Sequence, residues 1–153
     1  MKGKQVNTVR RTVLKLGAIG ALALHALKPG VGWAWNKAAF ESKAFADALK
    51  SLGATSVIES RDITITAPDI AENGAVVPVA VTSRIANTQS IAILAEKNPF
   101  PLAASFDMSG GGEAYVSVRL KMGQTSNVHA VVKADGKFYT AAKEVKVTIG
   151  GCG

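Results

Sequence analysis

Downstream of Gly53 the chain alternates apolar and polar positions. Ile63 and Ile65 are set among Asp62, Thr64 and Thr66, and Val77, Val79 and Val81 follow. Ile91 and Ile93 come next, then Val116, Val118, Leu120 and Met122 interleaved with Ser117, Arg119 and Lys121. Val128, Ala130 and Val132 lead to Val145, Val147 and Ile149, the last set separated by Lys146 and Thr148. A period of two marks strands that bury one face. Upstream the period is helical. Phe45, Leu49 and Leu52 stand at i, i+4 and i+7, beside Phe40, Ala44 and Ala48, which predicts one helix from Asn36 to Leu52. Asn36 can cap its first turn, and Gly53 suits the C-cap.

The segments between strands carry turn residues: Glu72-Asn73-Gly74, Asn98-Pro99-Phe100-Pro101, Gly110-Gly111-Gly112 and Ala134-Asp135-Gly136-Lys137. Asn-Gly and Asp-Gly accept the positive φ of tight hairpins. The pattern predicts a mainly β fold, an immunoglobulin-like β-sandwich of about seven strands preceded by one N-terminal helix. Pro78 interrupts the Val76–Val79 stretch and points to an edge strand or bulge, with partner binding through that edge, at Val77 and Val79, as the corresponding expectation.

Charge is unevenly distributed. Of the 18 Lys and Arg residues, six lie in residues 1–34, which hold no acid, leaving 12 basic against 11 acidic side chains in the rest. Six of the chain's net +7 charges therefore belong to the first segment. A nearly neutral remainder argues against nucleic-acid binding, which needs basic residues clustered on the folded domain.

That first segment reads as an export signal. Arg10 and Arg11 precede an apolar run from Leu16 to Leu24, and Gly32-Trp33-Ala34 supplies small residues at a cleavage site. A basic start, short apolar stretch and small-residue exit make a secretory leader, and paired arginines indicate the twin-arginine route. Val9 and Val13 depart from the usual residues of that motif. The apolar stretch is about a dozen residues, short of the roughly 20 a membrane span needs. The expected organisation is a twin-arginine signal peptide over 1–34, a helix-plus-sandwich domain over 35–149 and a flexible arm over 150–153. The expected location is the periplasm, with no membrane anchor after cleavage.

The chain has one cysteine, in the closing Gly150-Gly151-Cys152-Gly153. Glycines on both sides leave no side chain to pack and let a thin arm enter a narrow channel. No histidine or basic residue adjoins Cys152 to activate it. Such a thiol suits a carrier that reacts inside an enzyme supplying the base. An intermolecular disulfide, as in an exported immunoglobulin-like assembly module, and an incidental terminal cysteine are the other readings of the residues.

Elsewhere the chemistry is sparse. His129 is the one histidine outside the leader and falls opposite the Val128/Ala130/Val132 face, so it is expected on an outer or partner-facing surface. One histidine and one cysteine do not make a metal site, and neither metal nor other cofactor is expected. Asp69 and Glu72 fall in turns, where solvation or capping is the expected role. Gly110-Gly111-Gly112 lacks the lysine and helix start of a phosphate loop.

Three features together resemble the SoxY family of sulfur carriers in periplasmic thiosulfate oxidation: the twin-arginine leader, the sandwich pattern and the glycine–cysteine arm. Further similarity lies in Ile65-Thr66-Ala67-Pro68, Ala71-Glu72-Asn73-Gly74, Val77-Pro78-Val79 and His129 to Gly136. The family ends in Gly-Gly-Cys-Gly-Gly, and Gly150, Gly151, Cys152 and Gly153 match its first four positions. The resemblance implies a non-catalytic protein that is the substrate of partner enzymes, with Cys152 as the site of covalent sulfur attachment and the three glycines as its arm. It also implies a heterodimer with a SoxZ-like small sandwich protein. The implied enzymes are a c-type haem enzyme that joins thiosulfate to the cysteine, giving an S-thiosulfonate, and a dimanganese hydrolase that releases sulfate and leaves a persulfide. Some members also serve a sulfur dehydrogenase.

Overall fold

Asp135 and Gly136 both take positive φ, 48° and 74°, the conformation that lets a two-residue turn match the twist of its flanking strands. They join β8 (Ser126–Ala134) to β9 (Lys137–Val147), which pair antiparallel from Ala134↔Lys137 to Ser126↔Val145. The computed structural model describes residues 36–108 and 111–148. The predicted leader with Arg10 and Arg11, Ile149, and the arm of Gly150, Gly151, Cys152 and Gly153 lie outside the described residues.

Two sheets build the domain. The larger runs β1 (Val57–Glu59), β9, β8, β5 (Thr88–Ala95) and β6 (Leu102–Asp107), with β3 (Ile70–Ala71) also on β9. The smaller runs β2 (Ile63–Thr66), β4 (Val77–Ser83) and β7 (Tyr115–Leu120). The predicted alternation places Ile63, Val77, Val79 and Val81 opposite Ile91, Ile93, Val128, Ala130, Val132 and Val145, all buried in one core. Full burial of each such valine or isoleucine contributes roughly 1.5–3 kcal/mol.

The large sheet is covered on its outer face as well. Ala92, Leu94 and Val131 point away from the first core and pack with Ala39, Ala48, Phe45 and Leu49 of the N-terminal helices. This second layer explains why β5 reads as a run of buried residues from Ile91 to Ala95 rather than a strict alternation.

The helical segment corrects the expectation of a single helix. It forms α1 (Lys37–Glu41) and α2 (Phe45–Ser51), separated by an extended Ser42 and Ala44. Ala39 and Ala48 are both fully buried. Nine residues apart on one helix they would face opposite sides, at about 100° per residue, so the break lets both meet the sheet. Asn36 closes the hairpin: its Oδ1 accepts from Ala39 N at 3.1 Å, and its Nδ2 donates to the Ser51 carbonyl at 2.7 Å.

The sandwich is as expected, but nine strands appear among the described residues. The alternation does not predict β1, β3 or β6, and β9 begins at Lys137 rather than near Val145. β1 and β3 are too short to show a period and exist because β9 offers them an edge. Pro78 also differs from expectation. Its strand is interior to the small sheet, yet β2 pairs only with Ala80–Ser83, so Pro78 sits beyond the end of β2 and needs no partner there. Val77 and Val79 are core side chains rather than an exposed pairing surface.

Candidate functional site

Cys152 follows β9 in sequence, and the described residues show how the end of β9, here called the root, is held. Two short elements hold β9's last residues from opposite sides. On one side β3 pairs parallel to it, Ile70↔Lys146 and Ala71↔Val147. Lys146 N donates to the Asp69 carbonyl at 2.9 Å, and Thr148 N to the Ala71 carbonyl at 3.1 Å. On the other side β8 has already ended, and Val147 N donates instead to Thr125 Oγ1 at 3.0 Å. Each backbone donor from Lys146 to Thr148 thus has a partner. β9 stays a strand to Val147, and the backbone remains held through Thr148.

A third segment packs against the same point. A Cβ on Gly74 would sit 2.8 Å from Val147 Cγ1 and 2.4 Å from the Met122 carbonyl oxygen. Only a glycine lets the 72–76 loop approach this closely. That loop is locked in turn by Met122 N donating to the Gly74 carbonyl at 2.7 Å and by Asn73 Oδ1 accepting from Ala75 N at 2.9 Å. Asn73-Gly74, expected as a turn, is therefore also a packing contact with the arm's root.

One ion pair lies upstream of the root. Lys143 Nζ donates to the Ala67 carbonyl and approaches Asp69 Oδ1 at 3.0 Å. It spans the stretch of β9's edge that neither β1 nor β3 covers. Asp69 is solvated as expected, its side chain 88% exposed, while its backbone carbonyl accepts from Lys146 N at the entry to β3.

His129 lies on the sheet face expected for it, but α2 covers that face. Its ring centroid is 4.5 Å from that of Phe45, and its Nε2 is 3.4 Å from Glu96 Oε2. Asn127 Nδ2 donates to the same oxygen at 3.1 Å. These two bonds, Asn127's the stronger, hold the Glu96 carboxyl below the usual carboxylate range. The arrangement fastens α2 to β8 and leaves His129 largely enclosed rather than partner-facing.

A polar cleft of about 370 Å³ opens at the opposite end of the sandwich, lined by Ser83, Arg84, Asn87, Thr88, Met108 and Gly112 among others. Its hydroxyls are engaged within the fold: Ser83 and Thr88 bond each other at 2.9 Å, and Thr88 donates to the Ile85 carbonyl at 2.8 Å. Among the described residues no buried side-chain nitrogen or oxygen lacks a partner. No cluster of three or more His, Cys, Asp or Glu among them could hold a metal ion.

Comparison with known proteins gives the family. Residues 49–152 match the family model described as sulfur oxidation protein SoxY. The structure of the sulfur carrier protein SoxY from Chlorobium limicola f thiosulfatophilum is 45% identical, with a TM-score of 0.62, over 67% of this chain and 94% of that one. An engineered protein shows 15% identity and a TM-score of 0.42, over 57% of this chain and 20% of its own. A bacterial superantigen structure, toxic shock syndrome toxin-1 in a study of T cell specificity, shows 9% identity and a TM-score of 0.39, over 56% and 99%. No curated protein matches the chain.

Proposed function

The chain belongs to the SoxY family, and on that premise we propose that it carries sulfur intermediates covalently on Cys152 and presents them to partner enzymes during thiosulfate oxidation. The observation that carries this reading is that the family match runs to Cys152, the chain's one cysteine. The rooted end of β9 supports it. A carrier needs a thiol on a thin tether and a body that holds the tether's origin still.

The chemistry falls to partners. A c-type haem enzyme removes two electrons as thiosulfate and the Cys152 thiol form an S–S bond, with loss of the thiol proton. The product is the cysteine S-thiosulfonate. A dimanganese hydrolase then adds water across the terminal S–S bond, releasing sulfate and two protons and leaving the persulfide anion on Cys152. In some settings a sulfur dehydrogenase oxidises that remaining sulfur. The chain itself is the substrate of these steps and not an enzyme.

Its other features follow the same proposal. The twin arginines Arg10 and Arg11 direct export of the folded protein to the periplasm, and Gly150, Gly151 and Gly153 form the arm. A SoxZ-like small sandwich protein completes a heterodimer. The test is genetic: a strain carrying Cys152→Ser is expected to stop oxidising thiosulfate while still accumulating the exported protein. Undiminished thiosulfate oxidation by that strain would refute the carrier role.

A further inference from the structure

We propose that Asn73 is a latent modification site. The Asn73–Gly74 pair is set up for spontaneous deamidation to isoaspartate, and the packing of Gly74 against Val147 and Met122 holds that reaction off while the 72–76 loop stays seated. The inference is independent of what Cys152 carries.

The sequence supplies the reactive pair. The reaction needs an asparagine followed by an unshielded backbone amide, and glycine, with no Cβ, shields its own least. Gly74 N attacks Asn73 Cγ, and a succinimide ring closes. The side-chain nitrogen departs as ammonia, taking the proton that Gly74 N loses. Water then opens the ring at either carbonyl. One opening gives aspartate. The other gives isoaspartate, whose main chain runs through Cβ and Cγ and is longer by a carbon. Water is consumed, ammonia is released, and nothing is oxidised or reduced. No other asparagine of the chain precedes a glycine. Asn73 is exposed, so water reaches it.

The fold opposes this chemistry from several sides. Asn73 Oδ1 accepts from Ala75 N at 2.9 Å, which fixes the side chain. The peptide groups around the reacting bond are held as well. The Asn73 carbonyl accepts from Val76 N at 3.3 Å, and the Gly74 carbonyl from Met122 N at 2.7 Å. Gly74 is buried and has no spare room, since even a Cβ there would lie 2.8 Å from Val147 Cγ1 and closer still to the Met122 carbonyl oxygen.

Ring closure must turn the Asn73–Gly74 peptide until nitrogen and Cγ are aligned at about 3–3.5 Å. The longer isoaspartyl chain then presses Gly74 toward the same two walls. The reaction therefore runs from the opened loop, at a rate scaled by the fraction of time the loop is open. Once isoaspartate forms, Gly74 no longer fits its seat, and the loop stays unfastened from the end of β9.

The test follows deamidation of the full chain in mildly alkaline buffer, both folded and unfolded in urea, for the wild type and Val147→Ala. Tryptic cleavage after Arg61 and Arg84 leaves a peptide in which Asn73 is the one amide side chain. Its mass gain thus reports this site alone, and isoaspartyl methyltransferase labelling identifies the rearranged product. The folded wild type is expected to react at least about tenfold more slowly than the unfolded chain, the factor set by a loop open no more than about a tenth of the time. Val147→Ala widens the seat. It is expected to react faster than wild type when folded and at the same rate in urea. The isoaspartyl fraction, separated by ion exchange, is expected to unfold at lower urea than unmodified protein. Equal wild-type rates in the folded and unfolded states overturn the proposal. So does an absence of isoaspartate from the unfolded chain, or an isoaspartyl fraction whose unfolding midpoint is unchanged. A Val147→Ala variant that is folded by circular dichroism yet reacts at the wild-type rate also overturns it.

Discussion

Gly74 packs against Val147, the last residue of β9: a single added carbon on Gly74 would lie 2.8 Å from Val147 Cγ1. The loop before β4 and the end of β9 are therefore fitted to each other. The backbone carbonyl of Met122 closes the third side, 2.4 Å from the same position. A backbone oxygen held in a hydrogen-bonded loop cannot swing aside as a side chain would.

Gly74→Ala is expected to destabilise the domain by about 1–3 kcal/mol, the cost of overpacking a fitted site. Urea unfolding monitored by circular dichroism measures it. An unchanged midpoint would mean that the loop relaxes freely and that this contact does not hold the root.

Thr125→Val removes the acceptor for Val147 N. It leaves a part-buried donor unpaired, at a cost of about 1–3 kcal/mol. Amide exchange at Val147 is expected to accelerate, whereas Thr125→Ser, which keeps the hydroxyl, retains protection. Equal protection in both variants would show that the hydroxyl is not the clamp.

Asn36→Ala removes both the cap of α1 and the tie to the end of α2. A cap alone contributes about 0.5–2 kcal/mol. The loss is expected to appear first as faster amide exchange in α1 and α2. Exchange in β4 and β7, which belong to the other layer, is expected to change little.

Glu96 bears on pH dependence. Its carboxyl is held below the ordinary range by bonds from Asn127 and His129. A depressed carboxylate contributes stability that is present above its unfolded-state value and is lost as pH falls through the lower folded value. Glu96→Gln is expected to flatten that part of the stability–pH curve on the acid side. A wild-type curve already flat there would contradict the arrangement.

Much of the fold was legible because burial on one face imposes a period of two. Val77, Val79 and Val81, and likewise Val128, Ala130 and Val132, lie in the core as their spacing predicts. Asp135-Gly136 forms the expected hairpin turn. The helix break was not legible, because the stripe from Phe40 to Leu52 satisfies a single helix locally. Only the demand that Ala39 and Ala48 both meet the sheet divides it. β1 and β3 have no local signature, since a strand of two or three residues is defined by the edge it joins. The same holds for the arm's root: Cys152 and its glycines stand out in the sequence, but Thr125 and Gly74 matter only through what the fold brings beside Val147.

The most direct test of the carrier claim is the intact mass of the protein isolated natively from cells oxidising thiosulfate, taken before and after reductant. Sulfur-containing adducts that disappear with reductant, and are missing from Cys152→Ser, are the predicted result. Unmodified protein alone, or one fixed disulfide partner on Cys152, would contradict the carrier role and assign the cysteine to assembly.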